Sequence, residues 1–185
     1  MTFSVDTDQR YAVIPTLEIP EKFVVDYWQK LFDSELIGDR LCDIENPKVG
    51  NAIELILSEH GKTMFNVVDL MLKPARIVSD FALTNFTGKA AMVHFSMHPD
   101  NSPQQSMHLA RTVTDQVLNV WGEQGKPDTP YLYSLYGLTP ITNRAACAFV
   151  QRVGFKKVGI LPKGQRMRGT EFVDAMITIK SRKEV

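Results

Sequence analysis

Two imidazoles and a buried-looking carboxylate are the side chains best suited to moving a proton. His94 and His98 stand within and just beyond an apolar run at 90–97, and Asp80 lies in the run before it. An imidazole titrates near neutral pH, which suits a general base. His94 shares one face of its run with Met92 and Ser96, a setting that fits a core histidine equally well. Tyr131, Tyr133 and Tyr136 crowd one aromatic stretch, where packing accounts for them as readily as chemistry. The four histidines (His60, His94, His98, His108) do not form a metal set, because His94 lies within the predicted strand and His98 in the break that ends it. Cys42 and Cys147 supply neither zinc spacing nor a disulfide framework. No Ser-His-Asp or Cys-His context, P-loop or dinucleotide fingerprint is present.

The elements that must position these groups follow from periodicity and punctuation. A short strand is predicted at 11–17, then a helix opened by Pro20 and Glu21, with Phe23, Tyr27 and Leu31, and Val24 and Trp28, on apolar faces. After a loop at 38–47, a second helix at 49–59 stops at His60-Gly61. Three strands are expected at 64–72, 76–86 and 90–97, the last two joined by a hairpin turn at Thr87-Gly88-Lys89. A long helix at 103–121, a Gly- and Pro-rich loop at 122–130 and a strand at 131–138 come next. The chain closes with a helix at 141–153 and strands at 156–161 and 172–179. No repeat, low-complexity segment or interior linker interrupts this order, so one domain spanning 1–185 is expected.

Composition narrows the classes. The 185 residues are 44% hydrophobic and 23% charged, ordinary for a globular chain with a sizeable core. With 21 basic and 21 acidic side chains the net charge is zero, which argues against nucleic acid or a membrane surface as partner. Basic residues do gather late in the chain, from Lys156 to Lys183, as solvated strand ends and a tail would. No apolar run is long enough to span a bilayer and the first ten residues are polar, so a reduced, cytoplasmic setting is expected.

The segment T-N-R-A-A-C-A-F-V-Q-R-V-G-F, 142–155, carries a family signal. Asn143 is placed to cap a helix whose apolar face is Ala146, Phe149, Val150 and Val153, and Gly154 stands where its last turn needs positive φ. This pattern resembles the second half of the GNAT N-acetyltransferase fold, and the order β-α-α-β-β-β-α-β-α-β-β over most of the chain is the order of that family. The resemblance implies an α/β (α+β) fold with a mixed, mostly antiparallel sheet flanked by helices. It also implies an acetyl-CoA cofactor between the strands at 90–97 and 131–138, with Asn143 and Phe149 lining its pantetheine arm. More weakly, the chain resembles GNAT-like proteins of bacteriophages and prophages.

Two departures accompany the resemblance. The family's cofactor loop is glycine-rich, so that backbone N–H groups approach the pyrophosphate at a helix N-terminus. Here Met97 and Pro99 match, but the loop reads D-N-S-P-Q-Q-S, without glycine or a basic residue. Ser102 is expected as N-cap, Pro103 at the first helical position and Gln105 completing a capping box, with the N–H groups of Gln104, Gln105 and Ser106 left for phosphate. The family's acid is often a tyrosine one residue after the helix aromatic, where this chain has Val150.

The resemblance therefore implies direct acetyl transfer to a small amine or a protein amino group. His94, His98 or Asp80 would be the base and Tyr136 the acid, with Phe95 and Met97 offering backbone donors to the thioester. The departures favour a rival, a GNAT-shaped binding, assembly or acyl-CoA-sensing protein without turnover. The polar, basic stretch 162–171 suits either an acidic acceptor or a plain hairpin, and the Met- and aromatic-rich strands suit either a core or an oligomer interface.

Overall fold

A computed structural model describes residues 3–4, 10–34, 48–57, 63–120, 132–167 and 171–183. Cys42, the loop at 38–47, the helix stop at His60-Gly61, the loop at 122–130 and Tyr131 lie outside the described residues. The elements are β1 (Phe3–Ser4), β2 (Tyr11–Pro15), α1 (Glu21–Asp33), α2 (Val49–Leu57), β3 (Met64–Asp69), β4 (Arg76–Thr87) and β5 (Ala90–Met97), then α3 (Pro103–Asn119), β6 (Ser134–Pro140), α4 (Arg144–Val153), β7 (Lys156–Arg166) and β8 (Phe172–Ser181). The fold is the mixed, mostly antiparallel sheet flanked by helices that the sequence pattern implies, with β1 as an added two-residue strand. Among the described residues no helix is long and apolar enough to cross a membrane.

The described residues divide into two compact units, one drawn from Met1–Ala82 and His94–Ser106, the other from Leu83–Val93 and Met107–Val185. Strands β4 and β5 each contribute residues to both.

In the first unit β1, β2 and β3 follow one another in antiparallel register, with Tyr11 opposite Asp69 and Phe3 opposite Val13. The β3–β4 ladder is antiparallel and slips at Val67/Val68. Helix α1 forms because Glu21 meets the helix dipole in the first turn and Val24, Tyr27, Trp28 and Leu31 recur at helical spacing, all four buried. They pack with Ala52 and Ile56 of α2 and with Met64, Val68, Ile77 and Ala82 of the strands. Phe23, expected on that face, is 39% exposed instead. Trp28 is fully buried, and withdrawing roughly 200 Å² of indole from water contributes about 5 kcal/mol before entropy is counted.

The second unit joins the start of β5 to β6 in parallel, then β6 to β8 and β8 to β7 in antiparallel register. Gly88, at φ +59°, closes the β4–β5 hairpin. The parallel ladder has three pairs, Ala90–Ser134, Ala91–Leu135 and Met92–Tyr136. Strand β6 starts and ends later than its aromatic run suggests, which leaves Tyr133 outside it and exposed. Strand β7 runs on to Arg166 through the stretch expected as a loop, because Gln165 and Arg166 pair with Val173 and Phe172.

Candidate functional site

Local chemistry at α3 builds the part of the first unit that the resemblance assigns to a phosphate. His98 N–H bonds Val78 O at 2.9 Å and Asn101 Nδ2 bonds the same carbonyl at 2.7 Å, anchoring the loop after β5 to β4. Ser102 Oγ then accepts from Gln105 N–H at 3.1 Å, and Ser106 N–H bonds Ser102 O at 3.0 Å as the helix begins. The N-cap is as expected. The capping box is not, since the Gln105 side-chain amide donates to the Tyr11 hydroxyl at 3.3 Å. Of the three amides expected to be available, Ser106 is consumed by the helix and Gln105 by its cap. Of these three, only Gln104 N–H has no hydrogen-bond partner among the described residues. One free donor and one held by a displaceable hydroxyl still point along the positive end of a 17-residue helix, so an anion fits here at the expense of a cap worth about 1 kcal/mol.

The proposed bases sit apart in character. Asp80 is 1% exposed and its Oδ1 accepts from the Tyr27 hydroxyl at 2.9 Å. That hydroxyl also lies 3.0 Å from Ser96 O, to which Ser79 Oγ donates at 2.9 Å. The result is a polar knot among Tyr27, Ser79, Asp80 and Ser96, closed to solvent. His94, Phe95 and Met97 are half-buried on β5. His98 is 3% exposed; its Nδ1 accepts from Asp100 N–H at 3.2 Å and its ring lies 6.1 Å from that of Tyr27. Burial lowers the pKa of His98; Asp100 opposes this, while Arg76 and Lys30 add to it. The tyrosine–carboxylate knot was missed in the sequence, although Ser79 and Asp80 inside an apolar run were a usable signal.

In the second unit, Tyr136 is half-buried in the first half of β6, not at its end, and its hydroxyl donates to Asn85 O at 2.8 Å. Asn143 caps α4, its Oδ1 accepting from Ala146 N–H at 3.0 Å. Gly154 at φ +109° ends the helix, with Gly154 N–H to Gln151 O at 3.0 Å and Phe155 N–H to Val150 O at 3.1 Å, a Schellman arrangement. Phe149 and Val150 are half-buried. Cys147 is half-buried too, and burial raises its pKa against the pull of Lys157. Part of the late basic cluster is structural. Lys180 Nζ donates to Thr114 Oγ1 at 2.6 Å and Val153 O at 3.2 Å, and pairs with Asp115 at 3.0 Å. Arg182 Nε donates to Leu118 O.

This is the fold of the GNAT acetyltransferases. A GNAT-family acetyltransferase from Bacillus anthracis superposes with a TM-score of 0.68 at 12% identity, covering 100% of each chain. An acetyltransferase from Salmonella typhimurium that modifies the N-terminal serine of a 50S ribosomal subunit protein matches at 0.68 and 12%, over 99% of this chain and 100% of its own. The microcin C7 self-immunity acetyltransferase MccE, in complex with acetyl-CoA and AMP, matches at 0.67 and 11%, over 96% and 94%. No protein-family model and no curated protein matches the sequence.

Proposed function

We propose that this chain is an acetyl-CoA-dependent N-acetyltransferase that acts by direct transfer on a small amine or a protein amino group. The observation that carries the reading is the whole-length match to acetyltransferase structures, two of whose chains are covered in full. Bound acetyl-CoA would supply an activated acyl thioester. The chain's own residues do the rest. Gln104 N–H and, once Ser102 yields, Gln105 N–H hold the pyrophosphate, and Asn143 and Phe149 line the pantetheine arm. Backbone N–H groups of Phe95 and Met97 polarise the acyl carbonyl. His94 takes the amine proton, because it is half-buried whereas Asp80 is sealed beneath Tyr27. Tyr136, once its hydroxyl gives up the bond to Asn85 O, is the phenol offered to the leaving thiolate. We propose further that the protein acts as one domain in the cytoplasm.

A second reading rests on the capped loop. With Ser102 on Gln105 N–H and Val150 in place of a tyrosine, a GNAT-shaped binding or assembly protein, of the kind phages encode, or an acyl-CoA sensor would need no turnover. Calorimetric titration with acetyl-CoA, followed by thiol release over a panel of amines and N-terminal peptides, separates these. Binding with transfer that His94→Ala abolishes supports the enzyme. Binding without transfer gives the sensor, and no binding at millimolar acetyl-CoA sinks both.

A further inference from the structure

A second feature of the first unit lies outside the acyl-transfer reading. Helix α1 and the turn at 72–75 border an open groove of about 840 Å³, within the size range of small-ligand sites. Lys22, Lys30, Lys73 and Arg76 line it, against Asp26 in the lining and Asp100 beside it, whose carboxylate lies 3.0 Å from Arg76 Nη1 and 3.6 Å from His98 Nδ1. That excess stands out in a chain whose net charge is zero. Lys22, Asp26 and Lys30 are spaced four apart on one helix face, yet among the described residues neither lysine pairs with the carboxylate. Lys22 Nζ instead lies 5.9 Å from the centre of the Phe23 ring, which is itself lining the groove and partly exposed. Like charges around a concave surface focus positive potential into it.

The floor adds a donor. His98 lines the groove with its side chain only 2% exposed. Because Nδ1 accepts from Asp100 N–H, the neutral ring carries its proton on Nε2. That N–H has no partner among the described residues. Arg76 shows the same incompleteness: Nη1 pairs with Asp100 at 3.0 Å, while its buried Nε has no acceptor. An exposed pair of that kind holds the guanidinium only weakly, leaving further N–H groups for a ligand. Four lining cations, an imidazole N–H without a partner among the described residues and a partly exposed phenyl ring suit an anion of several oxygens joined to an apolar body.

We propose that this groove binds a small organic phosphate, its phosphate between Lys30, Arg76 and His98 and its apolar part against Phe23 and Pro74. The test is calorimetry on the full chain with phenyl phosphate, inorganic phosphate and benzyl alcohol as probes. Saturable one-to-one binding of phenyl phosphate is expected, weakening as salt is added and tighter than either fragment. Lys22→Ala and Lys30→Ala, both on the exposed face of α1, should each weaken it about five-fold with the urea midpoint unchanged. His98→Phe should weaken it further, and the lysine variants keep the test valid if that protein does not fold. The proposal is overturned by absence of saturation at ~10 mM, about ten times the concentration that half-fills a site of millimolar affinity. Equal binding of inorganic phosphate or benzyl alcohol, unaltered affinity in both lysine variants, or displacement of the probe by acetyl-CoA would each overturn it too.

Discussion

His98 is a neutral imidazole by virtue of where it sits. Burial lowers its pKa from the ordinary 6.5, Asp100 pulls it back, and Arg76 and Lys30 push it down again; the uncharged ring of Tyr27 completes its surroundings. The unfolded chain therefore binds this proton at higher pH than the folded one, and stability rises with pH across the interval. The contribution is complete above about pH 6.5 and is lost as pH falls toward the lower folded value. Urea midpoints should drop between pH 7.5 and 5.5, and the drop should be smaller in His98→Asn, which keeps an acceptor for Asp100 N–H. An identical pH slope in both proteins would refute the assignment. Lys180 makes the opposite kind of case. It stays buried as a cation because Thr114, Val153 and Asp115 all receive it, and burial lowers its pKa despite Asp115. Lys180→Met keeps the stem and strands those acceptors, so a loss of about 2 kcal/mol is expected. For a chain of this size that is roughly 4–8 °C in thermal midpoint.

The ends of α3 and α4 decide more than their middles. Ser102 satisfies Gln105 N–H with its own hydroxyl, in competition with any phosphate arriving at the same helix end. Ser102→Gly should cost only a few tenths of a kcal/mol, since glycine is tolerated at this position. Acetyl-CoA affinity should rise several-fold by calorimetry, and an unchanged affinity would remove the α3 N-terminus from the cofactor site. At α4, Gly154 holds φ +109°, where a β-carbon is strained even though the nearest side-chain atom, Lys180 Cε, is 3.6 Å away. Gly154→Ala should therefore destabilise by about 1–3 kcal/mol through backbone strain rather than a clash. Both caps were legible in the sequence because each is settled by residues three or four apart. Strand limits were less so. The last residues of β7 exist only because β8 supplies a ladder, and β1 is two residues long, too short to show alternation. The least legible contact is the bond from Tyr27 to Asp80, 53 residues apart, which turned a candidate base into a buried acceptor. Periodicity placed Tyr27 on the packed face of α1, but nothing local says which polar group its hydroxyl will meet.

At the scale of the whole chain, the question is whether two compact units amount to one cooperative domain. Strand β4 passes from one to the other at Ala82-Leu83, and β5 passes back at Val93-His94. Neither passage carries glycine or proline, and Ala82, Leu83 and Val93 are 6%, 1% and 8% exposed. A linker between independent domains has the contrary character, exposed and rich in flexible residues. Melting one unit alone would have to fray β4 and β5 in the middle of buried backbone, at Ala82-Leu83 and at Val93-His94, and leave polar groups there without partners. One transition is the expected outcome. Hydrogen exchange along a urea series should show protection failing together at Val67 and Ile77 in the first unit and at Leu135 and Met176 in the second, coincident with the fluorescence change of the fully buried Trp28. If Leu135 and Met176 exchange at a urea concentration where Trp28 is still native, the chain folds as two domains. The expectation of one acyltransferase unit spanning 1–185 would then have to be given up.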